Sequence, residues 1–299
     1  MTRTVLVSLF LCLSVGLDAD IHAQEAPPVN QLMKEGSHAY QRGDFEQAVE
    51  RWAQAAAVYE KSSARREQID SLIRLSEAYQ SLGRNRTAAI QLEQARALAA
   101  GIDDPLLSIR ILWRTGILYQ ASGQYVEAEQ SLQEALQRTK TLPQAGLTAA
   151  ILNDLGNLAA SQGKFAVALA SYTESFQMAQ AAEVPPLAAT TLTNAARVSV
   201  PLQQYRESKT KLDQAADILR GLEPSHEQIS AFITVGLTYA KLRASLVELK
   251  TDLTLTAYQA FHDAARAADR LGDHRPPPLP GGIWGSSMRM SIGTRKRLM

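Results

Sequence analysis

The sequence predicts an all-α fold, a right-handed superhelical solenoid built from antiparallel helix hairpins. Three observations support this prediction. Helix-forming Ala, Leu, Gln, Glu and Arg dominate the chain, while aromatic residues make up only 6% of it, which disfavours a β-rich fold. Glycines recur with a period of 40 residues, at Gly43, Gly83, Gly123 and Gly163. Prolines recur at a similar interval, where a helix is expected to stop.

Each 40-residue unit carries the same landmarks around its glycine. An alanine follows the glycine by five residues, a bulky side chain follows it by nine, and a small residue precedes it by seven. The alanines are Ala48, Ala88, Ala128 and Ala168, the bulky residues are Trp52, Leu92, Leu132 and Tyr172, and the preceding small residues are Gly36, Ser76, Gly116 and Gly156. Two helices joined by a glycine turn explain the pattern, with small residues facing bulky ones. One hairpin cannot bury its own apolar face, so several must stack.

The repeats extend over residues 30–272 as six predicted hairpins. In the fifth and sixth units the glycine pattern is less complete, but Leu192, Tyr205 and Gly236 still fall on repeat positions. The register then slips by nine residues and resumes at Ala257 and Phe261. We therefore expect a nine-residue insertion in the sixth hairpin.

The landmarks resemble those of the tetratricopeptide repeat (TPR) family. The segment 112–125 has the family's order and spacing of Gly, Tyr, Gly and Tyr, and the next unit repeats the match at Gly156, Gly163, Phe165 and Ala168. The period of 40 departs from the roughly 34 residues typical of the family. The resemblance implies a protein–protein interaction scaffold, not an enzyme, whose concave groove binds a peptide or helix segment of a partner.

The N-terminus predicts a secretory signal peptide over residues 1–23, followed by a polar spacer at 24–29. Arg3 precedes an apolar run from Val5 to Leu17, which is too short to span a bilayer, and Ala23 offers a small residue for cleavage. The only cysteine, Cys12, would leave with the signal. We expect an exported bacterial protein, periplasmic or secreted, without membrane insertion after cleavage.

The periodicity ends in the tail, residues 273–299, which is rich in proline and basic residues. The tail is either disordered or the product of a shifted reading frame, because a two-base shift can spell the start of another repeat around Trp284. The array also resembles those that precede caspase-like CHAT protease domains. The alternative function is therefore a regulatory or sensor N-terminal part of a larger protein, possibly of CHAT type, truncated by a frameshift.

The sequence offers no chemistry for catalysis, and we predict no cofactor and no metal site. The histidines are scattered and have no helix spacing that suits a metal. His262 with Asp263 and Asp269 is the nearest cluster, and we interpret it as a solvated helix face. The five cationic residues of 275–299 leave a mildly acidic body, which excludes a nucleic-acid footprint.

Two lines of residues on the first helices are candidates for the concave groove. One is Met33, Ile73, Trp113, Asn153, Thr193 and Ile233, and the other is Ser37, Glu77, Ile117, Asn157, Arg197 and Leu237. Within them we predict a partner-binding site at Trp113, Ile117, Asn153, Asn157 and Arg197. Asn amides can pair with a peptide backbone, Arg can hold a carboxylate, and Trp anchors interfaces. The alternative is that the Asn side chains bond between adjacent hairpins and that Trp113 belongs to the core.

Overall fold

The computed structural model describes residues 28–272, and this part of the chain consists of helices and turns without a strand. The predicted signal peptide, most of the spacer and the tail lie outside the described residues. The helices are α1 (Val29–Gln41), α2 (Phe45–Lys61), α3 (Arg65–Ser81), α4 (Asn85–Ala99), α5 (Pro105–Ala121), α6 (Tyr125–Thr139), α7 (Ala145–Ser161), α8 (Phe165–Ala181), α9 (Pro185–Ser199), α10 (Tyr205–Arg220), α11 (His226–Leu242) and α12 (Lys250–Leu271). A short 3-10 helix, Val247–Leu249, precedes α12.

The helices pair in chain order into six hairpins, and a tight turn joins the two helices of each of the first five. In the second hairpin Gly83 takes φ 71°. Its amide donates to the Gln80 carbonyl, and the Arg84 amide donates to the Tyr79 carbonyl, each at 2.8 Å. Left-handed backbone lets these amides reach the last carbonyls of α3, and glycine adopts it without steric cost. In the fifth hairpin Gln203 takes this place with φ 60°.

Small residues let the two helices of a hairpin approach each other closely. A Cβ added at Gly156 would lie 2.5 Å from Cε1 of Tyr172, and one at Gly36 would lie 2.4 Å from Nε1 of Trp52. Ser76 holds the same position in the second hairpin and donates to the Ile73 carbonyl at 2.6 Å. The predicted pairing of small with bulky landmarks is therefore the packing that joins the hairpin.

Stacking of the hairpins produces the curvature. First helices of successive hairpins contact one another, as α3 does with α5 and α7 with α9, while the second helices make no comparable contacts among themselves within residues 28–272. The first helices therefore form the concave wall. Buried apolar side chains run along the whole stack between the two layers of helices. The predicted all-α TPR-like solenoid of antiparallel hairpins is confirmed.

The sixth hairpin differs from the others at its turn. α11 ends at Leu242, and residues 243–249 form a longer connection that includes the 3-10 helix. α12 then has 22 residues and ends at Gly272 with φ 71°. The extra residues thus lengthen both the turn and the last helix. Gly236 still lies against an aromatic ring, because a Cβ added there would lie 2.8 Å from Cε1 of Phe261.

Candidate functional site in the concave wall

The two predicted lines of groove residues differ in burial. In the first line Ile73, Asn153 and Thr193 are buried between hairpins, at 1%, 7% and 2% exposure. The second line is more open, and Arg197 is exposed while Ile117 and Asn157 are half-buried. A third line, one residue after the first, also reaches the groove: Lys34, Arg74, Arg114, Asp154, Asn194 and Thr234. On each first helix, the residue that faces the groove is therefore the one that follows the predicted first-line residue.

Between the second and third hairpins the wall is held by ion pairs, which we call the ionic seam. Asp70 of α3 accepts from Arg110 of α5 at 2.5 Å and from Arg74 of its own helix at 2.8 Å. Glu77 accepts from Arg114 at 2.7 Å. Every charge in this seam has an opposite charge beside it, so the seam is electrostatically satisfied.

One carboxylate on the wall of the fourth hairpin is surrounded by neutral donors. Asp154 of α7 accepts from Nε1 of Trp113 at 2.7 Å, from Nδ2 of Asn157 at 3.1 Å and from Nδ2 of Asn153 at 3.3 Å. The guanidinium carbon of Arg114 stacks over the Trp113 ring, 4.3 Å from its centroid. The indole thus joins the ionic seam on one side to Asp154 on the other.

The amide groups carry this network into the fifth hairpin. The Tyr172 hydroxyl donates to Oδ1 of Asn157 at 2.8 Å. Oδ1 of Asn153 accepts from Nδ2 of Asn194 at 3.0 Å. We call this set the Asp154 cluster: Trp113, Asn153, Asp154, Asn157, Tyr172 and Asn194. It gives the central part of the wall a fixed arrangement of donors and acceptors.

The pKa values of Asp70 and Asp154 are shifted in opposite directions. Burial disfavours the charge on Asp70, but Arg110 and Arg74 outweigh it, and the pKa of Asp70 is lowered. Burial dominates at Asp154 and raises its pKa, against the hydrogen bonds from Trp113 and the two amides and the charge of Arg114. Neutral donors compensate a buried carboxylate less than cations do. Asp154 is therefore the less compensated charge on the central wall.

The structure places the five predicted site residues on α5, α7 and α9, and it separates their roles. Asn153 is buried and bonded to the next hairpin, as the alternative interpretation expected, and the indole of Trp113 is half-buried. Ile117, Asn157 and Arg197 face the groove. Arg197 lies close enough to the Tyr172 hydroxyl to oppose the effect of burial, which raises the pKa of Tyr172 to about 12. Of the five, only Asn153 is buried, and the other four keep surface exposed to solvent.

Sequence reasoning missed Arg114, Asp154 and Asn194. A signal was available for Asp154, which is the only charged residue among the seventeen of α7. A lone carboxylate in an otherwise apolar helix needs hydrogen-bond partners, and the periodicity places Trp113 and Asn194 nearby on the adjacent helices.

The cluster around His262 differs from its prediction. Asp263 is not solvated: it is 8% exposed and accepts from Nε of Arg220 at 2.9 Å and from Gln259 at 2.9 Å. It is a structural ion pair between α10 and α12. Within residues 28–272 no grouping of His, Cys, Asp and Glu side chains could hold a metal ion. In the same range no helix combines the length and apolarity needed to cross a membrane.

The stacked hairpins and the polar concave wall define a TPR-like α-solenoid. The tetratricopeptide repeat family model matches residues 107–181. This range covers the third and fourth hairpins, which supply most of the Asp154 cluster. No curated protein matches the chain.

Solved structures share the fold at low identity. A Rap protein complexed with competence and sporulation factor is 14% identical with a TM-score of 0.64, over 82% of this chain and 74% of that one. NprR in complex with its cognate peptide NprX is 16% identical with a TM-score of 0.62, over 93% of this chain and 79% of that one. BtubC from P. vanneervenii is 18% identical with a TM-score of 0.55, over 82% and 96%. The likeness shows the fold.

Proposed function

We propose that this protein is a non-catalytic scaffold that binds a peptide segment of a partner in its concave groove. The observation that carries the proposal is the Asp154 cluster, a fixed polar network in the middle of an otherwise largely apolar stack. Two similar structures, NprR with its cognate peptide and the Rap regulator of plasmid pLS20 with the Phr* peptide, are peptide complexes, and this supports the same use of the groove.

The groove offers three kinds of contact to a peptide. Arg197 is an exposed cation that can hold a carboxylate with paired hydrogen bonds. The Asn157 amide is oriented by Asp154 and Tyr172, so it presents a defined polar edge. Ile117 adds apolar surface one hairpin away. We expect a segment with an acidic or C-terminal carboxylate near Arg197 and an apolar side chain toward Ile117.

The test is to select binders from a displayed library of linear dodecapeptides on the full chain and to measure their affinity by fluorescence anisotropy. We expect Arg197→Ala and Asn157→Ala each to weaken binding about tenfold, which corresponds to roughly 1.4 kcal/mol. Arg96→Ala is the matched control, because Arg96 is exposed on the second helix α4 and pairs with Glu93 of the same helix. Peptides that bind both groove variants as tightly as the wild type would refute the site.

We propose a second candidate role, as the sensor part of a longer protein. The favouring observation is the open face of α12, where Leu255 and Tyr258 are 67% and 62% exposed. A further hairpin stacked on α12 would cover such residues. Sequencing the gene through the codons for 273–299 and beyond tests this proposal. A shifted frame that stays open and continues the repeats supports it, and a frame that closes at once refutes it.

We propose that the protein is exported. Cleavage of the predicted signal after Ala23 would leave Gln24 as the mature N-terminus. N-terminal sequencing of the protein from a bacterial periplasmic or culture fraction tests this directly. A chain that keeps Met1 and stays in the cytosolic fraction would contradict it.

A further inference from the structure

The superhelix returns on itself, so that its sixth hairpin touches its first. The rings of Phe45, at the start of α2, and His226, at the start of α11, lie 5.5 Å apart at an interplanar angle of 88°. Phe45 also packs edge-on against Tyr40, with centroids 5.1 Å apart, and Tyr40 lies 5.7 Å from Trp52. An aromatic column therefore reaches from the core of the first hairpin to the first turn of α11.

Charged groups from three other hairpins act on Tyr40 beside this contact. Burial raises the pKa of Tyr40 to about 12, and Glu77, Arg114 and Glu227 all act on it electrostatically. Glu227 follows His226 in α11, so the first turn of α11 lies near Tyr40 of the first hairpin and within electrostatic range of Glu77 and Arg114.

The closing contact is opposed by like charges. Partial desolvation raises the pKa of Glu227, the charge of Glu77 raises it further, and Arg114 acts against both. Glu77 already pairs with Arg114 at 2.7 Å, so one cation serves two carboxylates. The aromatic contact favours closure, and the like charge of Glu77 acting on Glu227 opposes it.

We propose that the first turn of α11 is a latch: it closes the superhelix on the α1–α2 corner, and opening of the Phe45–His226 contact speeds the entry of a peptide to the Asp154 cluster. The gating of peptide entry rests on the proposed function, whereas the latch itself does not. The same turn is stabilised as a helix start, because Oγ of Ser225 accepts from the Gln228 amide at 3.0 Å. Nε2 of Gln228 also donates to the Leu219 and Leu222 carbonyls, so the turn moves together with the end of α10.

The latch is measured without any ligand. Gln41 and Glu223 are exposed on the two sides of the contact and are replaced by cysteine in a Cys12→Ser chain, which leaves two thiols for spin labels. Double electron–electron resonance between the two spin labels should give one short distance. His226→Ala should add a longer, broader component, and Glu227→Gln should narrow the distribution. Glu207→Gln, in the exposed first turn of α10, is the matched control and should change nothing.

Two results would overturn the latch: a long distance in the parent chain, or a His226→Ala distribution identical to that of the parent. Gating is tested separately with a dodecapeptide selected on the full chain. Its association rate should rise severalfold in His226→Ala and fall when a bismaleimide links the two cysteines. An equal association rate in the linked chain would refute gating even if the latch closes. A failure to select any peptide would instead count against the proposed function and leave the distance result standing.

Discussion

The ionic seam and the Asp154 cluster occupy neighbouring stretches of the same wall, yet they are built from different chemistry. In the seam, Asp70 and Glu77 lie against arginines, and these side chains keep between 18% and 38% of their surface exposed to water. In the cluster, one carboxylate is held by an indole and two amides. The seam is a joint between hairpins, while the cluster presents oriented amides to the groove. The difference separates a stretch of paired charges in the second and third hairpins from a stretch of neutral donors around one carboxylate in the third to fifth hairpins.

The largest expected effect comes from breaking the packing beneath the cluster. Gly156→Ala places a methyl group 2.5 Å from the fully buried Tyr172 ring, whose hydroxyl is held by Asn157. We expect a loss of about 3 kcal/mol in the free energy of unfolding, measured by urea denaturation. Gly163→Ala is the control: nothing lies within 4 Å of its added Cβ, so only its φ of 72° costs energy, about 1 kcal/mol. Equal losses in the two variants would contradict the packing argument.

The next effect separates the two aspartates directly. Asp154→Ala leaves Trp113, Asn153 and Asn157 without their acceptor, and we expect a loss of about 2 kcal/mol. Asp70→Ala should cost only about 0.5 kcal/mol, because its partners Arg110 and Arg74 are 26% and 38% exposed and can turn to water. Urea midpoints of the two variants at neutral pH give the comparison. A larger loss of stability for Asp70→Ala than for Asp154→Ala would contradict the view that the Asp154 cluster depends more strongly on its carboxylate than the ionic seam does.

A smaller change removes a single oxygen. Tyr172→Phe keeps the ring over Gly156 but deletes the donor to Oδ1 of Asn157, and we expect a loss of about 1 kcal/mol. Tyr40→Phe, near the seam, deletes a 3.1 Å contact with the hydroxyl of the exposed Ser81, which water can replace, and should cost only a few tenths of a kcal/mol. The same urea measurement applies. The selected dodecapeptide should also bind Tyr172→Phe more weakly than wild type. Unchanged affinity would show that the Tyr172 hydroxyl does not contribute to peptide binding.

Much of the fold could be predicted because each hairpin repeats a local rule. A glycine turn and a small residue facing a bulky one, such as Gly156 with Tyr172, are visible in the sequence and fix the pairing of helices. The rotation of each first helix is not fixed by that rule. A shift of one residue turns a helix by about 100°, which is why Asn153 is buried while Asp154 reaches the wall. The contact between Phe45 and His226 could not be predicted either, because it depends on small rotations between hairpins that accumulate over five hairpins.

The smallest expected effect, and the most specific, is an opposite pH dependence of the two carboxyls. The pKa of Asp70 is lowered in the fold, so its contribution to stability is present above the unfolded value of about 3.9 and is lost as the pH falls through the folded pKa. The pKa of Asp154 is raised, so its ionisation costs stability as the pH rises through the unfolded value toward the folded one. Relative to wild type, Asp70→Asn should therefore become more destabilising as the pH rises from 3 to 6. Asp154→Asn should become less destabilising over the same range. Urea denaturation of both variants across that range checks the signs. Parallel trends would mean that Asp154 is as well compensated as Asp70, and the cluster would then be a second structural joint.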